Sequence, residues 1–254
     1  MEKSTHFIVQ CVEKNRLDAG IDFVIQPIFD LSRFVCIGGE VLVRGTHRRN
    51  IVPPNLFISQ LEESGGILPM GDYVMAQAFK FIARQPQALR ENPLFTFNIS
   101  QVQLNDADFA VRAINLMQQN QLSPRHFVFE ITDSIDCPED AMRQNLKQLS
   151  ESGIHLAWDG INCLEKLKAR LAVWSTDYVK LDRSCLAAAN IDQTLLMLEY
   201  IKEMDIDVII EGVENYTHIS TMLRHDVKYG QGFLFSRPIS KESFHHEYMK
   251  SDKA

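Results

Sequence analysis

Short apolar runs, each closed by a polar residue, alternate along this chain with longer stretches of helical periodicity. EVL begins at Glu40, LFTFN ends on Asn98, HFVFE on Glu130 and IHLAWD on Asp159. DYVKLD carries Lys180 and Asp182, and DVIIE ends on Glu211. Runs of this length with β-branched and aromatic residues predict strands, and the 3.6-residue periodicity between them predicts helices. Repetition of strand and helix predicts a parallel sheet closed into a (β/α)8 TIM-like barrel of the α/β class.

The opening is different. The first twenty residues predict a helix with Phe7 and Cys11 on one side. The runs FVIQPIFDL and FVCIGGEVLVR are separated by little more than a turn at Ser32 and Arg33, which makes them an antiparallel hairpin. The barrel is therefore expected to have an antiparallel first strand, with residues 1–20 an N-terminal helical segment and 21–254 the barrel domain.

Further helices are expected from Pro53 and Pro54 to about Glu63, stopped by Gly65 and Gly66, and from Gly71 to Arg84. Others run from Asp106 to Gln119, from Pro138 to Gly153, from Gln193 to Met204 and from Tyr216 to Arg224. A last strand is expected at Tyr229 to Phe233, followed by a polar tail holding His245 and His246. The apolar stripes of these helices read as core.

At 254 residues the chain suits one barrel. Its formal net charge of −7 argues against recognition of a nucleic-acid polymer, which needs a basic face. The N-terminus has no signal-peptide core and no apolar run reaches the roughly 18 residues of a membrane span, so a cytoplasmic protein without membrane insertion is expected. Five scattered cysteines fit free thiols in a reducing compartment. None of the eight histidines shows metal-ligand spacing.

In a parallel barrel, side chains at the C-terminal strand ends surround one pocket. Glu40, Asn98, Glu130, Asp159, Lys180, Asp182, Glu211 and Gln231 are placed to meet there. So many carboxylates repel one another unless a cation neutralises them, and Mg²⁺ or Mn²⁺ suits oxygen donors of this kind.

The segments QPIFDL, GGEVLVRG, PPNLFISQLEESGGILPMGDYVMAQA, FNISQVQL, FEITD, YVKLD, EGVEN and QGFLFSRP together carry a family likeness. In that order, from Gln26 to Pro238, the chain resembles the EAL domains, bacterial phosphodiesterases that hydrolyse cyclic di-GMP to the linear dinucleotide. The resemblance implies a barrel with an antiparallel first strand. It also implies one or two Mg²⁺ or Mn²⁺ ions held by Glu40, Asn98, Glu130, Asp159, Asp182 and Glu211, with Lys180 and Glu211 serving catalysis. Arg44 matches the arginine that grips a ligand phosphate, and Gln26, Glu214 and Gln231 match supporting ligand-binding positions. A pair of such ions neutralises phosphoryl oxygens and makes water nucleophilic at neutral pH.

Two positions depart from the family pattern. The paired acids Asp-Asp-Phe-Gly read Asp159-Gly160-Ile161-Asn162, and Asp159 keeps its 21-residue separation from Lys180, so Gly160 stands where the second acid belongs. Asp133 replaces the glutamate that anchors the following loop. These losses predict a weakly active or inactive phosphodiesterase that acts as a regulator by binding cyclic di-GMP or a protein partner, with a homodimer as its plausible assembly. The alternative is an active metal-dependent phosphodiesterase in which water or a neighbouring acid replaces the missing ligand.

Overall fold

A computed structural model describes residues 2–85, 93–132 and 139–249. Its strands are β1 (Ile21–Asp30), β2 (Val35–His47), β3 (Asn50–Val52), β4 (Leu94–Ile99), β5 (Phe127–Ile131), β6 (His155–Ile161), β7 (Tyr178–Leu181), β8 (Asp207–Ile210) and β9 (Tyr229–Gly230). The helices are α1 (Glu2–Glu13), α2 (Ile58–Ser64), α3 (Ile67–Ala83), α4 (Gln101–Leu104) and α5 (Phe109–Gln119), then α6 (Asp140–Ser152), α7 (Leu164–Val173), α8 (Ile191–Glu203), α9 (Tyr216–Arg224) and α10 (Lys241–Phe244).

Strand β1 pairs antiparallel with both β2 and β9, while β2, β4, β5, β6, β7, β8 and β9 follow one another in parallel. This closes an eight-stranded barrel with an antiparallel first strand; β3 only extends β2 as a hairpin. The closure removes sheet edges, and the central strands are buried on both faces, which is why LFTFN and HFVFE read as continuous apolar runs rather than alternating ones. Gly38 and Gly39 let β2 lie close to its neighbours: a Cβ at Gly38 would collide with the Leu94 backbone, and one at Gly39 with Ile25 and the Gln26 carbonyl.

Two apolar regions organise the core. The larger fills the space between barrel and helices, and Ile8 and Val12 of α1 belong to it. The smaller is a layer inside the barrel, made by Leu94, Val128, Ala157 and Ile209 from four different strands. Because side chains alternate with period two, the residues two positions on along three of these strands, Glu130, Asp159 and Glu211, point to the same interior. The apolar layer is thus a floor beneath the polar residues.

Several elements differ from expectation. Helix α1 stops at Glu13, because Asn15 takes a left-handed backbone (φ 52°) and the chain turns into a short 3-10 segment at Leu17–Ala19. The segment after Pro53 begins as a 3-10 turn, Pro54–Leu56, before α2. Helix α3 starts before Gly71 and runs through it, since that face packs against the Gln103 side chain and leaves no room for a Cβ. Helix α7 occupies a stretch where the periodicity named no element; only Leu167 in it is buried, so its stripe is faint. Strand β9 is two residues long because the chain leaves the sheet at Gln231 to enter the site.

The expected polar tail is also corrected: α10 and a π-turn, His245–Met249, pack Phe244 and Met249 into the core. Pro138 and Cys137 lie outside the described residues. Among the described residues no helix is long and apolar enough to cross a membrane.

Candidate functional site

Five strands deliver the centre of the site. Asn98 and Glu130 are register neighbours on β4 and β5, Glu40 pairs with Gln26 across β1 and β2, and Lys180 stands on β7. The Lys180 side chain has no exposure, and its Nζ lies 2.9 Å from Glu130 Oε2 and 3.0 Å from Glu211 Oε1. Glu40 Oε2 is 3.3 Å away and Asp159 Oδ1 3.8 Å. The neutralising charge that the acids require is thus partly built into the chain.

Amides complete the ring. Asn98 Nδ2 donates to Glu40 Oε1 (2.7 Å), and Gln231 Nε2 donates to Glu40 Oε2 (2.7 Å) and to Glu211 Oε1 (3.1 Å). Gln26 Nε2 reaches the Ser236 carbonyl at 3.5 Å, the outer limit for such a bond.

Burial would raise every carboxyl here, and the partners decide which of them escape. Burial is outweighed at Glu40 by Lys180 and by the bonds from Gln231 and Asn98, and its pKa falls below the usual value. Burial dominates at Glu130, and with the charges of Glu40 and Asp159 it pushes this carboxyl well above the usual range despite Lys180. Glu211 is raised too, by burial and then by Asp159 and Glu40. Burial works against the charged lysine, but the surrounding acids, Glu130 foremost, hold Lys180 firmly protonated.

Asp182 stands apart from this ring. Its Oδ1 accepts from Ser184 N (2.8 Å) and caps the 3-10 turn Arg183–Leu186. With Gln26, Glu211, Glu214, Gln231 and Phe233 it lines an open cleft of about 250 Å³ over the centre. A second, mostly apolar cavity of about 340 Å³ runs from Glu40 and Asn98 beneath α2 and α3, past Met70, Val74 and Glu62. Arg44 lies on β2 four residues beyond Glu40, on the same face, and its Nη1 donates to its neighbour's carbonyl, Val43 O, at 2.8 Å.

Gly160 sits at an irregularity of the β6 and β7 pairing. Its backbone is left-handed (φ 66°), its N–H donates to Asp159 Oδ1 (2.8 Å), and its carbonyl accepts from Lys166 Nζ (2.7 Å). Lys166 escaped the sequence reading. The available signal was a lysine in the first turn of a helix, where the backbone dipole disfavours a cation. Asp133 lies outside the described residues.

Among the described residues no three acidic, histidine or cysteine side chains group as metal ligands, since the carboxylates converge on Lys180 Nζ. The donor chemistry nonetheless fits a hard cation: the carboxylates of Glu40, Glu130 and Asp159 and the amide carbonyl of Asn98 are oxygen ligands. Glu130 Oε1 is buried and, among the described residues, has no hydrogen-bond partner. An orphaned buried carboxylate oxygen is costly and calls for a ligand.

A β/α barrel with a carboxylate-rich mouth is the class these features define. A model of the EAL domain matches residues 14–238, and the chain belongs to that family. It is 28% identical over 225 residues to the uncharacterized protein sll1895 of Synechocystis, covering 85% of this chain and 32% of that one. It is 27% identical over 232 residues to the cyclic di-GMP phosphodiesterase PdeL of Escherichia coli, covering 89% of this chain and 64% of the relative. The chain thus spans about a third and just under two thirds of these relatives. A solved structure of the EAL enzyme Bd1971, in its cAMP and cyclic-di-GMP bound form, superposes with a TM-score of 0.83 at 25% identity over 95% of this chain and 67% of that one.

Proposed function

We propose that this chain is a cyclic di-GMP-binding regulator with little or no phosphodiesterase activity. The observation that carries the reading is Gly160. The position of the family's second paired acid has no carboxylate, and its backbone is left-handed and tied to Lys166 through the carbonyl.

A Mg²⁺ or Mn²⁺ ion would be held by Glu40, Asn98, Glu130 and Asp159, with Glu211 and Asp182 facing the cleft. When bound, such an ion neutralises charge on phosphoryl oxygens and lowers the pKa of its water. Lys180 keeps the acids together and presents its ammonium to the reacting phosphate or water. Arg44, a planar cation with several donors, suits a phosphate oxygen in an acidic surround. Gln26, Glu214 and Gln231 offer amide and carboxylate groups to the rest of the nucleotide. A regulator of this kind passes its state on by contact with a protein partner or a second copy of the chain.

The test is calorimetric titration of cyclic di-GMP in Ca²⁺, alongside hydrolysis assays in Mg²⁺ and in Mn²⁺. Binding is expected, with turnover far below the roughly 1 s⁻¹ of an ordinary enzyme. Turnover at that rate establishes the second reading, an active metal-dependent phosphodiesterase, which the otherwise complete donor set favours. Arg44→Ala is expected to weaken binding by about 1.5–3 kcal/mol, the range for hydrogen bonds to charged groups. Equal affinity of variant and wild type would take the nucleotide out of this pocket.

A further inference from the structure

Lys166 is the third residue of α7, whose N-cap, Cys163, accepts no capping bond on its side chain. A cation so close to a helix N-terminus opposes the macrodipole. One group it reaches is the Gly160 carbonyl, 2.7 Å from its Nζ and next to Asp159 in the chain. Lys166 is half-buried, so its charge acts with reduced screening.

Asp182, which lines the cleft, feels the same charge. Burial works against its ionised form, but the Ser184 bonds and the charges of Arg183 and Lys166 outweigh it, and the carboxyl is held below the usual range. Two lysines therefore reach the Asp159–Gly160 corner. Lys180 Nζ is 3.8 Å from Asp159 Oδ1, while Lys166 Nζ is bonded to the residue that follows.

Building on the metal assignment above, we infer that Lys166 takes the place of a second divalent cation: its ammonium supplies positive charge at the Asp159–Gly160 corner, so the site holds one ion and excludes another. The geometry makes two demands on a second ion that this chain does not meet. The ion needs a carboxylate at 160, and it needs an approach free of a fixed ammonium. Restoring the carboxylate alone leaves the second obstacle in place. Gly160→Asp places a side chain at a left-handed position (φ 66°), which aspartate enters more readily than most residues.

The experiment counts bound Mn²⁺ per chain from the loss of the free-ion electron paramagnetic resonance signal, with Mn²⁺ as the sole probe and circular dichroism to verify each fold. Wild type and Gly160→Asp are each expected to bind one equivalent. The double variant Gly160→Asp with Lys166→Ser is expected to bind two, with spectral broadening from the coupled pair. Two equivalents in Gly160→Asp alone, or one in the double variant, overturns the role of Lys166 and leaves the single-ion reading standing. No Mn²⁺ bound by wild type overturns both together.

Discussion

Lys180 Nζ stands 2.9 Å from Glu130 Oε2, and neither side chain has any exposure to solvent. Glu40, Glu211 and Asp159 also direct an oxygen at the same nitrogen. Removing one partner of a buried ionic cluster leaves the others uncompensated, which costs about 3–5 kcal/mol. Lys180→Met is expected to lower the unfolding free energy by that amount in urea titrations without added metal. Excess Mn²⁺ should restore part of it, since an ion that binds only the native state stabilises by mass action. Unchanged stability would mean that the acids do not depend on this lysine.

Asn145 is wholly buried on α6 and bonds three backbone groups of other elements. Its Oδ1 accepts from Ala110 N (3.0 Å), and its Nδ2 donates to the carbonyls of Leu104 and Asp106 (2.8 Å each). Ala110 N lies in the first turn of α5, where an N–H has no intrahelical partner. Asn145→Ala is expected to cost about 3 kcal/mol, given about 1–3 kcal/mol for each buried group left unpaired. A loss below about 1 kcal/mol in chemical denaturation would show that water takes over the bonds.

Arg112 on α5 joins Asp72 on α3 (2.8 Å) and Asp106. The bond from Arg112 holds the Asp106 carboxyl below its usual pKa. A folded-state pKa lower than the unfolded one adds stability above the unfolded value, about 3.9, that is lost as pH falls through the folded value. Arg112→Ala is expected to destabilise by about 1 kcal/mol at neutral pH, the scale of a partly exposed pair. The gap between variant and wild type should close below about pH 4, and a gap that stays constant from pH 7 to pH 3 would contradict this.

Burial pushes the Cys36 thiol up to about 12 and the Cys185 thiol up to about 11, and raises Cys11 as well. The thiolate is the reactive form. Native protein at pH 8 is therefore expected to leave these three unmodified by an aromatic disulfide reagent, while denatured protein reacts at all five cysteines. Rapid modification of Cys185 in the folded state would show local opening around β7.

The barrel and the convergence of the acids were legible from sequence because both follow from local pattern. A polar residue closing a buried strand must find a partner, and in a closed parallel barrel the strand ends share one mouth. The short Ser32–Arg33 link likewise allowed only a hairpin. Less was legible where packing overrides local preference: α7 buries one leucine and so lacks a stripe, and the His245–His246 segment reads as polar although Phe244 and Met249 anchor it. Which charge neutralises the acids was beyond the linear pattern. Lys180 could be placed at the site, yet only the fold brings its nitrogen between carboxylates from four other strands or strand ends, at distances that decide the Coulomb energy. The same holds for Lys166, whose bond to Gly160 joins a helix to a strand end through a left-handed turn that no spacing rule encodes.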